Sequence, residues 1–139
     1  MIGVVIVGHG EFAKGLNSVL ELIAGPQKTL ETVSFLQSDS SEDLRGNIKE
    51  ALECLDTEET LIFTDIPGGT PFKESVLLST EHNGVEVIAG TNIPMLLEIL
   101  FDRKDGNVSE IKERAMNTGK DQIISFEVEA EEDDFEDGI

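Results

Sequence analysis

Residues 2–7, IGVVIV, limit the possible folds more than any other stretch. A β-branched, almost wholly apolar run of this length predicts a strand covered on both faces, and such strands sit in parallel sheets between layers of helix. The run stops at Gly8-His9-Gly10, and a helical pattern begins at once. Phe12, Leu16, Val19, Leu20 and Ile23 fall on one stripe, which Gly25-Pro26 ends.

The same unit then recurs. ETVSFL (31–36) predicts a second strand, followed by the turn and cap residues of SDSSEDL and a stripe of Leu44, Ile48, Leu52 and Leu55. TLIFTD (60–65) predicts a third strand ending in Asp65. IPGGTPF follows, with Thr70 suited to the N-cap and Pro71 to the first helical position. GVEVIAG (84–90) predicts a fourth strand. In TNIPMLLEILF, Asn92 or Ile93 precedes a helix begun by Pro94, and residues 109–118 predict another helix closed by Gly119. QIISFEV (122–128) predicts a fifth strand, and residues 129–139 a disordered acidic tail.

Alternating strands and helices predict an α/β fold, an open doubly wound, mainly parallel sheet with helices on both faces. The 139 residues suffice for one ordinary domain and no more. In such sheets ligands bind beyond the carboxyl ends of the strands, near the point where strand order reverses. The residues at those ends are His9, Asp65 and Gly90-Thr91-Asn92.

His9 and Asp65 suggest a specific chemistry. A neutral imidazole has one N–H and one bare, nucleophilic nitrogen. A carboxylate accepting from the N–H fixes the tautomer and stabilises the positive charge that develops when the bare nitrogen forms a bond. Gly68, Gly69 and Thr70, followed by Pro71, would offer backbone N–H groups, a helix N-terminus and a hydroxyl, which together make an anion site. Nucleophile, orienting carboxylate and anion cradle are the parts of a phosphohistidine site.

Taken singly, each part has a plainer reading. His9 could be a loop histidine bonded to backbone, Asp65 a turn cap and GGTP simple turn chemistry. His82 reads as a solvent-exposed turn residue. The lone Cys54, in ALECLDT, reads as a small core hydrophobe rather than a catalytic thiol. Gly8-His9-Gly10-Glu11-Phe12-Ala13 also fits G-x-G-x-x-G/A, with Asp39 as a possible ribose acid. Against dinucleotide binding, the chain has no residues left for a substrate domain, and His9 stands where the pyrophosphate would approach. Two histidines in unrelated settings do not make a metal site, and no cofactor is expected.

Charge narrows the partners. Of 29 acidic residues, eight lie in the last thirteen positions, which hold no Lys or Arg; the rest of the chain keeps 21 acids against 10 bases. Such a field repels nucleic acid and anionic membrane and favours a protein with a basic docking face. One cysteine cannot form an internal disulfide, and the N-terminal apolar run is far shorter than a signal core or a membrane span. A cytoplasmic protein is expected.

The segments VIVGHGEFAKGL, DIPGGTPF and VIAGTNIPMLLEIL, in this order and spacing, resemble the EIIA component of the mannose-type (mannose/fructose/sorbose) bacterial phosphoenolpyruvate:sugar phosphotransferase system. The resemblance covers about residues 1–125. It implies a phosphocarrier in which His9 accepts a phosphoryl group from phospho-HPr and passes it to a separate EIIB chain. EIIB then phosphorylates sugar entering through the membrane components EIIC and EIID. The resemblance makes Asp65 the orienting residue and Thr70, after Gly68 and Gly69, a phosphoryl-binding hydroxyl. It further implies a homodimer whose last strand, about 122–128, is antiparallel and exchanged between subunits. The carrier domain is then 1–128, and the 129–139 tail has no counterpart. A phosphohistidine regulatory module and the phosphocarrier subunit of a phosphotransferase-dependent dihydroxyacetone kinase are the alternatives. The full GGTPF and NIPML agreement favours sugar transport. Nothing in these residues selects among mannose, fructose, sorbose, gluconate and amino sugars.

Overall fold

Val4, Val5, Ile6 and Val7 are all fully buried, and they alternate between two separate cores. Val4 and Ile6 pack with Leu20, Phe63, Leu96, Ile99 and Ile111 on one side. Val5 and Val7 pack with Val33, Leu44, Ile48, Ile62 and Leu78 on the other. A strand reading apolar at every position thus serves two layers at once, as its composition requires.

The computed structural model describes residues 1–128. Its elements are β1 (Gly3–His9), α1 (Phe12–Ala24), β2 (Leu30–Phe35), α2 (Ser41–Leu55), β3 (Thr60–Thr64), α3 (Thr70–Glu81), β4 (Val85–Ile88), α4 (Ile93–Asp102) and α5 (Val108–Asp121). All pairings are parallel and the strand order is β2-β1-β3-β4. The chain therefore winds outward from β1 in one direction and from β3 in the other. Helices α1, α4 and α5 cover one face, and α2 and α3 the other. The doubly wound α/β expectation holds. No helix among the described residues is long and apolar enough to cross a membrane.

Local chemistry explains most of the boundaries. Ser40 and Asn107 each open a helix with a reciprocal capping box, through Asp43 and Glu110. Asn92 caps α4 by accepting from the Met95 N–H at 3.2 Å, and Pro94 follows in the first turn. At the opposite end of the sheet from His9, the buried Arg103 guanidinium donates to the carbonyls of Lys28 and Thr29, at 2.6 and 3.1 Å. That bond pair ties the end of α4 to the loop entering β2.

Four expectations change. Thr70 is the first residue of α3 and Gly69 is its N-cap, because Gly69 holds the extended φ and ψ (−75°, 169°) that a cap needs. Gly119 lies inside α5 rather than closing it: a Cβ there would meet the Met95 side chain at 2.4 Å, so the glycine lets α4 and α5 approach. Cys54 is exposed, since the buried stripe of α2 runs through Leu44, Ile48, Ala51 and Leu55. His82 is half-buried; its Nδ1 lies 2.9 Å from the Leu78 carbonyl, at the end of α3. Residues 122–128, expected as a strand exchanged with a second subunit, form no strand within the single chain, where Ile123, Ile124, Phe126 and Val128 are 68 to 84% exposed. The tail, 129–139, lies outside the described residues.

Candidate active site

Strand order reverses between β1 and β3, so the crevice at their carboxyl ends is where a sheet of this kind binds its ligand. His9 is the last residue of β1, and Asp65 follows the last residue of β3. The two side chains meet there. Asp65 Oδ2 lies 2.6 Å from His9 Nδ1 and also accepts the His9 backbone N–H at 2.9 Å. Oδ1 accepts the Ile66 N–H at 2.9 Å. One carboxylate thus holds both the main chain and the ring of His9.

Electrostatics sets the protonation pattern. Burial pushes the Asp65 carboxyl up, but the hydrogen bonds from the His9 N–H, the His9 ring and the Ile66 N–H outweigh burial and hold it below the usual carboxylate range. An ionised Asp65 requires a proton on Nδ1 to fill the 2.6 Å contact. Nε2 is then the bare nitrogen of the neutral ring. The His9 side chain is 48% exposed and that of Asp65 only 11%, so the imidazole faces out while the carboxylate is shielded.

The flanking glycines have distinct tasks. A Cβ on Gly8 would sit 2.4 Å from the Phe12 ring, so glycine lets α1 close down on β1. Gly10 has φ +57°, which turns the chain away from the strand and leaves His9 at the rim. Its N–H donates to the Phe35 carbonyl at 2.9 Å.

The glycine loop reaches the same place. Gly68 takes φ +79°, and Gly69 lies so near the imidazole that a Cβ would come 3.2 Å from His9 Cε1. No side chain caps α3, whereas α2, α4 and α5 are capped by Ser40, Asn92 and Asn107. Its first-turn N–H groups therefore point from beside the imidazole with no side-chain acceptor, the arrangement that receives an anion. Pro71 has no N–H, so these donors belong to the residues around it.

Gly90-Thr91-Asn92 plays a different part from the one its position suggests. Gly90 N–H donates to the Asp65 carbonyl at 2.8 Å, and the Thr91 hydroxyl to the Thr64 carbonyl at 2.7 Å. This loop steadies the backbone that carries Asp65. Asp39 closes a turn by accepting the Leu36 N–H at 2.8 Å, which occupies the carboxylate proposed for a ribose. Phe35 was not singled out from sequence; its ring stands 5.7 Å from that of His9, centroid to centroid. Two clefts, of about 220 and 380 Å³, lie beside β4 and β2, and neither is lined by His9 or Asp65.

Comparison with known proteins identifies the family. A family model described as the PTS system fructose IIA component matches residues 3–116. The chain is 30% identical over 136 residues to the sorbose-specific EIIA component of Lacticaseibacillus casei, across 95% of this chain and 99% of that one. It is 31% identical over 132 residues to the fructose-specific EIIA component of Bacillus subtilis, across 93% and 90%. The crystal structure of a phosphotransferase system EIIA component from Streptococcus agalactiae superposes with a TM-score of 0.85 at 34% identity, covering 90% of this chain and 97% of that one. The chain therefore belongs to the mannose-type EIIA family and is a phosphocarrier of a sugar phosphotransferase system.

Proposed function

We propose that His9 Nε2 is the atom that carries the phosphoryl group. The observation that carries this reading is the 2.6 Å contact of Nδ1 with an ionised Asp65, which leaves Nε2 bare and outward. The Nε2 lone pair attacks the phosphorus of phospho-HPr, and the donor's phosphorus–nitrogen bond breaks as the new one forms. Positive charge developing on the His9 ring is met by Asp65 through Nδ1–H. Gly68, Gly69 and Thr70 receive the phosphoryl oxygens with backbone N–H groups and a hydroxyl. The reverse motion of the same atoms hands the group to EIIB, so the activity is phosphotransfer through a phosphohistidine, feeding sugar uptake by EIIC and EIID.

An acidic surface suits a basic face on HPr. The exposed apolar residues of 122–128 suit a strand lent to a second subunit, giving a homodimer. HPr and EIIB are cytosolic partners, which places this chain in the cytoplasm.

Intact mass after incubation with phosphoenolpyruvate, enzyme I and HPr tests the assignment. Wild type gains one acid-labile phosphoryl group and His9→Ala gains none. Proton–nitrogen correlation spectra of the product show phosphorus on Nε2. Labelling that survives His9→Ala, or phosphorus on Nδ1, overturns it.

A further inference from the structure

Asp65 alone does not fix the His9 ring. A hydrogen bond locates Nδ1, but the imidazole χ2 torsion has broad wells, so the ring plane stays free to tilt about that contact. A second group meets the ring. Phe35 closes β2, and in the parallel register of β1 and β2 it is the direct partner of His9. Alternation along the two strands puts both side chains on the face of Val5, Val7 and Val33, and Phe35 packs against that core. The two rings meet edge to face, with centroids 5.7 Å apart and planes inclined at 64°, the arrangement that aromatic quadrupoles favour.

The imidazole is thus bounded by Asp65 at Nδ1, by the Gly69 backbone near Cε1 and by the Phe35 ring. We infer that Phe35 is a positioning residue for phosphoryl transfer, which stops the His9 ring from turning and keeps Nε2 on the line of the incoming phosphorus. The inference rests on His9 being the acceptor. It matters because near in-line transfer tolerates little misplacement: an error of about 1 Å can cost about 100-fold in rate. Phe35 needs no contact with phosphorus or partner to act in this way.

The test compares Phe35→Leu, which keeps apolar bulk without a ring, with Phe35→Tyr, which keeps the ring. Both are made in the full chain, and circular dichroism checks folding; Phe35→Met replaces the leucine variant should that one fail to fold. Phe35→Leu lowers the maximal single-turnover rate of phosphoryl transfer from phospho-HPr by about three- to tenfold, at an unchanged half-saturating HPr concentration. Phe35→Tyr restores the rate. Nuclear Overhauser contacts from the His9 ring protons to the backbone around Gly69 show one ring orientation in wild type and Phe35→Tyr, and averaging over several in Phe35→Leu, while nitrogen shifts report the Nδ1–H tautomer throughout. An unchanged rate in the folded leucine variant overturns the inference, as does a change confined to half-saturation, which would mark a partner contact instead. Failure of the wild type to accept phosphate refutes the acceptor reading. In that event the ring-orientation comparison still decides the role of Phe35, and equal spectra overturn it.

Discussion

Replacing Asp65 by Asn probes the centre of the proposed mechanism while barely changing shape. The native carboxylate accepts three hydrogen bonds: two at Oδ2, from His9 N–H and Nδ1–H, and one at Oδ1, from Ile66 N–H. An amide has a single acceptor oxygen, so its NH2 group must face either His9 or Ile66. Facing His9, it meets two donors, and the ring escapes the clash by moving its proton to Nε2. That is the nitrogen the proposed transfer needs bare. Facing Ile66, it loses that bond and leaves a neutral amide where a charge stabilised the ring. The lost charge-assisted hydrogen bond is worth about 1.5–3 kcal/mol, and the wrong tautomer or the uncompensated ring charge brings the total to about 3–5 kcal/mol. At 1.36 kcal/mol per tenfold this is a loss of about 10²–10⁴ in rate. The assay is single-turnover transfer from phospho-HPr, with the tautomer read from nitrogen shifts. Half-saturation by HPr should stand, because the Asp65 side chain is 11% exposed. A rate within about threefold of wild type, with Asn in place and Nδ1 still protonated, would refute the reasoning.

Two further predictions concern stability. Asp65 binds a proton less readily folded than unfolded, so its contribution is fully present above the unfolded value near 3.8 and is lost as pH falls through the lower folded value. The melting-temperature gap between wild type and Asp65→Asn should therefore narrow as pH drops below about 4, and a gap that widens there would contradict the sign. Glycine substitutions should split by position. Gly84→Ala, at φ +79° with its Cβ 2.5 Å from the Glu58 carbonyl oxygen, should cost about 2–4 kcal/mol in urea unfolding. Gly46→Ala, exposed within α2 with nothing near its Cβ, should gain about 0.5–1 kcal/mol.

The layers of the fold were legible because the two periodicities are local. IGVVIV reports burial on both faces, and the stripes through Leu44, Ile48 and Leu55 report which side of a helix is covered. The placing of His9 and Asp65 at strand ends was legible for the same reason. Their meeting was not, since it needs the strand order β2-β1-β3-β4, which brings β1 beside β3. Gly119 misled because a glycine near the end of a helical pattern signals a stop, whereas here it answers to Met95 on another helix. Gly90-Thr91 misled similarly: its strand-end position is right, but its bonds go to the backbone of Thr64 and Asp65. Phe35 had a signal that went unused. Once β1 and β2 are parallel neighbours, Val7 opposite Val33 places His9 opposite Phe35 on the same face.

The composition of the site bears on how a carrier lets go of its cargo. The groups set against the His9 ring are a carboxylate, a glycine backbone and a phenyl ring. Arg45 is committed to Glu74 at 2.6 Å, and Arg103 to two carbonyls at the far end of the sheet. At the proposed phosphoryl position the groups already in place are the peptide N–H groups and the Thr70 hydroxyl at the uncapped start of α3, which attract an anion through dipoles rather than a full charge. Salt-bridging cations would hold the phosphoryl group more strongly and make its departure harder. With weaker donors, the extra stabilisation needed when charge spreads over the phosphoryl oxygens falls to the partner, donor or acceptor, that is docked at that moment. On the proposed mechanism, transfer is then fast only in a complex, and the isolated carrier would keep its phosphorus–nitrogen bond.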